Sequence, residues 1–316
     1  MFETYPLHLH TLDAMGPRAN RLIAALPALS FQQLEPLLEP VEMRLGDLLH
    51  EPGRTPSHVY FPTTSIVSLL HLLENGAATE IAMVGNEGIV GVSLLMGGQS
   101  MLSQAVVHSS GKGFRVRAMA IVKAFEQGGP LVHIMLRYTQ ALCSQIEQTA
   151  VCYRHHEMHQ QLCRRLLLSL DRQFSPDLVV TQQLIANMLG VRRESVTQAA
   201  LALQKEGLIR YSRGHISVVD RPGLERRSCE CYTVVKKEYD RMLADIPAAQ
   251  FHAMPSDRDT VRVQRAAAAL TEQPFSITLA TPPKLAGARV GGVTRPYGTQ
   301  SIPQALPAME TWLIAK

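Results

Sequence analysis

Residues 181–208, TQQLIANMLGVRRESVTQAALALQKEGL, hold two short helical patterns on either side of one glycine. Thr181 can cap the first helix, and Leu184, Ile185, Met188 and Leu189 give it a single apolar face. Gly190 then stands where a left-handed residue ends a helix. Ala186 lies four residues before that glycine, where a small side chain lets two helices cross closely. Val196 lies six after it, where the second helix must bury an apolar residue against the first. This is the spacing of a helix-turn-helix.

The residues that follow narrow the reading. Gly207-Leu208-Ile209 closes the second helix, and Arg210 to Val219 alternates around a Ser212-Arg213-Gly214 turn, the pattern of a β-hairpin wing. Residues 181–215 carry a local excess of three positive charges, close to the +4 of the whole 316-residue chain. Such local concentration suits a phosphate backbone. The second helix opens with Arg192, Arg193, Glu194, Ser195, Val196, Thr197 and Gln198. In this geometry the helix N-terminus enters the major groove, where Arg pairs with guanine, Glu accepts from cytosine and Gln reads adenine. Arg192, Arg193, Glu194, Ser195, Thr197 and Gln198 are therefore the expected DNA contacts, together with Thr181 and, on the phosphates, the wing residue Arg213.

Upstream, residues 41–120 hold short Val-, Ile- and Leu-rich runs broken by Gly53, Gly76, Gly85, Gly88, Gly91 and Gly97-Gly98. That pattern predicts an antiparallel, jelly-roll-like β-roll. After Gly128-Gly129-Pro130 the period changes, and Leu131, Met135, Tyr138, Leu142 and Ile146 recur at helical steps. A long helix with that narrow stripe predicts a homodimer seam. The expected fold is α+β: a leader over 1–20, the β-roll over 21–129, a dimerisation helix over 130–157 and the winged helix-turn-helix over 158–243. Residues 244–316 hold 8 of the 19 prolines and read as a disordered tail.

Composition excludes other classes. With 46% hydrophobic and 18% charged residues the chain is globular, and its longest apolar runs are too short to cross a bilayer. No secretory pattern opens it, and five cysteines without such a pattern point to reduced thiols in the cytoplasm. No nucleophile elbow, phosphate loop or paired-carboxylate motif is present, so neither an enzyme nor a bound cofactor is expected.

Leu49-His50-Glu51-Pro52-Gly53 with Val59-Tyr60-Phe61, Asn86-Glu87-Gly88-Ile89-Val90-Gly91 and Gly190-Val191-Arg192-Arg193-Glu194-Ser195-Val196-Thr197 together resemble the Crp/Fnr family of bacterial transcription regulators. The resemblance runs from about residue 22 to 243. It implies a homodimer on a palindromic operator in double-stranded DNA, with a cyclic-nucleotide-binding-like β-roll and RNA polymerase as a further partner. By position, Arg193 and Glu194 match the base-reading pair of the family, while Gln198 stands where a second arginine is common. The resemblance also places an effector pocket at Glu87, Gly88, Ser103 and Gln104. Members that bind cyclic AMP follow the glutamate with an Arg-Ser pair; the corresponding Met101-Leu102-Ser103-Gln104 has no arginine, so cyclic AMP is not the expected effector. The family's iron-sulfur branch needs cysteines near the N-terminus, and the first here is Cys143.

A rival reading centres on Cys152, His156, His159 and Cys163, whose steps of four, three and four would line one helix face with soft ligands. It makes the protein a metal- or redox-responsive regulator. Cys229-Glu230-Cys231-Tyr232, after the wing, resembles a segment of one subgroup of such regulators and has no role derivable from sequence.

Overall fold

The computed structural model describes residues 16–98, 100–173, 177–212 and 214–244, all within the unit Met1–Met254. Two short helices come first, α1 (Arg21–Ala24) and α2 (Ala28–Leu34). Asn20 is wholly buried, so the expected leader already belongs to the core at its end. Its Oδ1 accepts from the backbone N–H groups of Leu22 and Ile23, capping α1, while its Nδ2 donates to the carbonyls of Pro62 and Gly88 at 2.9 and 2.8 Å.

Seven strands follow: β1 (Glu39–Met43), β2 (Leu48–His50), β3 (His58–Pro62), β4 (Ile66–Leu72), β5 (Ala78–Val84), β6 (Gln104–Ser109) and β7 (Gly111–Arg117). They form two antiparallel sheets, ordered β1-β7-β3 and β2-β6-β4-β5. Val59, Phe61, Val67, Val84, Ala105 and Val116 from both sheets are fully or almost fully buried in one core. Each large side chain so buried stabilises the fold by roughly 1.5–3 kcal/mol. The glycines that punctuate the sequence do local work at their own positions; Gly91, at φ 100°, takes a left-handed conformation that opens the segment after β5.

Helix α3 (Ala118–Glu126) leads to α4 (Pro130–His155), a 26-residue helix entered through Gly129 and Pro130. The expected dimer stripe on α4 is not free. Leu131, Met135, Tyr138 and Leu142 are buried within the chain, and Ile146 is half-buried. Tyr138 donates to the Ile89 carbonyl at 3.2 Å and its ring lies 6.3 Å from that of Tyr239. The helical period reports burial without naming what covers the face, and here the covering is the chain's own β-roll and last helix. The exposed residues Leu136, Gln140, Cys143, Glu147, Ala150 and Arg154, at steps of four and three, make up the opposite face.

At His156 and Glu157 the backbone is extended, and Glu157 with Gln160 forms a capping box that starts α5 (Met158–Leu170). Strand β8 (Asp177–Val179) precedes α6 (Gln182–Leu189), α7 (Arg193–Lys205) and the hairpin β9 (Ile209–Ser212) and β10 (His215–Val218); the three strands pair in the order β8-β10-β9. Helices α8 (Arg221–Arg227) and α9 (Glu230–Met242) follow. Arg137 on α4 donates to the Met242 and Arg241 carbonyls at 2.6 and 2.9 Å, capping the C-terminus of α9, so α9 runs antiparallel to α4. The tail expected over 244–316 lies outside the described residues apart from Ala244.

Candidate nucleic-acid interface

Thr181 caps α6, its hydroxyl accepting from the Leu184 N–H at 3.1 Å. Gly190 ends that helix at φ 65°, and its N–H closes back onto the last turn. An added Cβ at Gly190 would also stand 3.0 Å from the Thr79 hydroxyl of β5. The two-residue step from Gly190 to Arg192 then launches α7. Ala186 and Val196 are both fully buried where the helices meet.

With Val196 facing inward, Arg192, Arg193, Glu194 and Gln198 are exposed on the outer side of the first turns of α7. Ser195 is half-buried. Thr197 is less free than its position in sequence suggests, since its hydroxyl lies 2.7 Å from Gln182 Oε1 and 3.0 Å from the Arg193 carbonyl. It ties α7 to α6. At the far end of α7, Glu206 is paired with Arg227, whose guanidinium lowers the carboxyl of Glu206 from its ordinary range. That pairing ties the end of α7 to α8. Arg213 lies outside the described residues.

The residues expected to line an effector pocket are not brought together. Glu87 and Gly88 lie beyond the Val84 end of β5, level with Val67 of β4. Gln104 pairs with Leu70, three residues further along β4, and Ser103 precedes it. Glu87 is buried and already engaged: Arg172 donates to it from Nε at 2.7 Å, and the Gly85 N–H donates at 3.1 Å. Gly88 is closed off as well, because a Cβ there would meet the Tyr138 hydroxyl at 2.5 Å.

A second buried ion pair accompanies the first. Arg165 of α5 binds Glu80 of β5 and also approaches the Met188 sulfur of α6 at 2.6 Å. Glu80 accepts from the Ser68 hydroxyl, which in turn lies 2.8 Å from His108 Nδ1. Nothing in the sequence pattern singled out Arg165 or Arg172. Each lies in or next to the apolar run from Leu162 to Leu170, which reads as plain core helix, and only the acidic partners 85 residues upstream reveal their role.

The metal-ligand reading is partly corrected. The break at His156 ends the helix face that was to carry all four residues, so His159 turns to Glu157, 3.3 Å away, and Cys163 is buried in the main core. Cys152 and His156 instead meet Cys229 and Cys231 from the start of α9, with the four ligand atoms within 4.8 Å of one another. The pairing was invisible in sequence because the two halves lie some seventy residues apart.

Residues 160–227 match the family model described as a Crp-like helix-turn-helix domain. The chain thus carries a Crp-like DNA-binding helix-turn-helix and resembles Crp/Fnr-type transcription regulators. A global nitrogen regulator of Synechococcus elongatus is 27% identical over 192 residues, which cover 58% of this chain and 86% of that protein. Among solved structures, a putative Crp/Fnr-family regulator from Eubacterium rectale superposes with a TM-score of 0.52 at 17% identity, covering 65% of this chain and 96% of the other. FixK2 from Bradyrhizobium japonicum gives 0.52 at 17%, covering 61% and 98%. These superpositions establish the Crp/Fnr fold: antiparallel sheets first, helices between, and a C-terminal helix-turn-helix. The matched Crp/Fnr relatives are regulators, which supports a non-enzymatic role. No helix among the described residues is long and apolar enough to cross a membrane.

Proposed function

We propose that the protein acts as a homodimer on a two-fold-related DNA site in the cytoplasm, with the N-terminus of α7 in the major groove of each half-site. The observation that carries this is the cluster of exposed Arg193, Glu194 and Gln198 over buried Val196, on a helix held by its partner α6. Arg193 pairs with guanine O6 and N7, Glu194 accepts from cytosine, and Gln198 contacts adenine. Arg192, Ser195 and Thr181 face the phosphates, and Thr197 keeps the two helices in register for the others. RNA polymerase is the further partner this role calls for.

The exposed face of α4, from Leu136 to Arg154, supplies the surface between the two copies. Its steps of four and three suit a second helix, and Leu136 leaves 54% of its surface to solvent in the single chain. Two recognition helices related by that axis need half-sites about one helical turn, ~34 Å, apart. Cyclic AMP is not the effector of this reading. Two buried guanidiniums beside the sheet, Arg165 and Arg172, are committed to Glu80 and Glu87.

Selection from random duplexes tests the proposal. The expected outcome is a palindromic consensus whose discrimination at one base pair falls by ~1–3 kcal/mol in Arg193→Ala. Equal binding of wild type and variant to selected and random duplexes would overturn it.

A further inference from the structure

We propose that Cys152, His156, Cys229 and Cys231 form a closed zinc site that joins the end of α4, the break after it and the start of α9. Tetrahedral zinc with thiolate bonds of about 2.3 Å and an imidazole bond of about 2.0–2.1 Å requires sulfur–sulfur edges of about 3.8 Å and sulfur–nitrogen edges of about 3.5 Å. Cys152 Sγ and Cys229 Sγ are 3.6 Å apart, and Cys231 Sγ is 3.4 Å from His156 Nδ1. Two edges therefore already have the length tetrahedral zinc needs, and all four donor atoms lie within 4.8 Å of one another. A multi-iron cluster would hold its thiolates farther apart.

The surroundings match that use. His156 Nε2 stands 3.3 Å from a Glu230 carboxylate oxygen, an arrangement that keeps the proton on Nε2 and turns the Nδ1 lone pair toward the sulfurs. Gln148 donates from Nε2 to Cys231 Sγ at 3.1 Å, a bond suited to a thiolate. Cys229 is the N-cap of α9, where the helix dipole favours negative charge.

Three thiolates and a neutral imidazole around a divalent ion leave one net negative charge. The buried Arg164 of α5 brings a cation to the neighbouring turn of α4: its Nη2 bonds Thr149 Oγ1 at 2.9 Å, and its Nε has no partner among the described residues. On loading, the thiol protons leave to solvent as the sulfur–zinc bonds form, with no change of oxidation state. All four positions are taken by protein, so the site is structural and offers no open coordination for catalysis.

The test uses the full chain, purified under reducing conditions. Elemental analysis is expected to find about one zinc per chain, and cobalt added to metal-free protein should give the intense visible bands of a tetrahedral thiolate complex. Zinc should drop to background in the Cys229→Ser/Cys231→Ser double variant and stay at full occupancy in Cys163→Ser. Glu230→Gln should weaken zinc about tenfold or more against a competing chelator, with the fold intact. Wild-type protein that takes up neither zinc nor cobalt while folded would overturn the proposal. So would full zinc occupancy in the double variant, or a Cys152–Cys229 disulfide in protein alkylated at lysis.

Discussion

Arg172 Nε lies 2.7 Å from Glu87 Oε1, and both side chains are about nineteen-twentieths buried. The same guanidinium reaches Gln145 Oε1 at 2.8 Å and the Leu168 carbonyl at 2.9 Å. One side chain at the end of α5 thus holds the turn after β5 and the middle of α4 together. Two charges taken from water cost several kcal/mol each, so the pair survives only because its remaining polar atoms are satisfied. The β-roll and the helices that follow are joined by bonds that need each partner.

Removing one partner is therefore expected to cost far more than removing both. Arg172→Ala should destabilise the protein by ~3–5 kcal/mol, leaving Glu87 charged and buried. A Glu87→Leu/Arg172→Met double variant should recover much of that loss. Chemical denaturation of the three proteins measures it, and an Arg172→Ala loss under ~1 kcal/mol would contradict the account.

His108 gives the fold a pH dependence. Burial, then the charges of Arg165 and Arg172, push its imidazole well below the usual 6.5. Ser68, Glu80 through Ser68, and the two guanidiniums are among the polar groups near it, with Ser169 and Gln173 lining the same space. The unfolded chain binds a proton near 6.5 and the folded chain only at lower pH, so the unfolded state takes up the proton first and stability falls as pH drops below about 6.5. In His108→Asn the amide can still donate to Ser68 but does not titrate. Thermal midpoints from about pH 7 to 5 should fall more steeply for the wild type than for this variant; parallel curves would remove His108 from the explanation.

The two faces of α4 predict opposite behaviour. Leu136→Glu, on the exposed face, should convert a dimer to a monomer in light scattering while barely changing the stability of the single chain. Met135→Ala, one residue away and 1% exposed, should cost ~2–5 kcal/mol through the cavity it leaves, with the mass in solution unchanged. A dimer that survives Leu136→Glu and dissociates in Met135→Ala would restore the face first expected from the sequence.

Legibility tracked the distance over which the physics acts. Thr181, Ala186, Gly190 and Val196 obey capping, close-approach and chirality rules that span a few residues, so the helix-turn-helix is plain in the sequence. The sheets were legible as a class from turn spacing, while their pairing order was not, because register depends on strands such as β1 and β7 that are far apart in the chain. What covers the stripe on α4 was not legible, because Leu131 and Tyr138 show the same period whatever packs on them. The cysteine site was half seen: Cys152 and His156 stand close together, but Cys229 and Cys231 come to them only through the packing of α9 on α4. Arg165 and Arg172 were missed altogether, since a buried arginine looks like an exposed one until its carboxylate is placed.

Cys152 and Cys229 stand 77 positions apart in sequence, yet their sulfurs are 3.6 Å from one another. The chain therefore enters and leaves the stretch that bears α5 through α8 at nearly one point. The stretch does not hang from that point alone, because Arg165 and Arg172 tie it to Glu80 and Glu87 of the β-roll, so a turn about the extended pair His156 and Glu157 must first break two buried ion pairs. Adjacent ends make this stretch a natural cassette, and the two ion pairs set the condition for exchanging it: the incoming stretch must bring its own partners for Glu80 and Glu87.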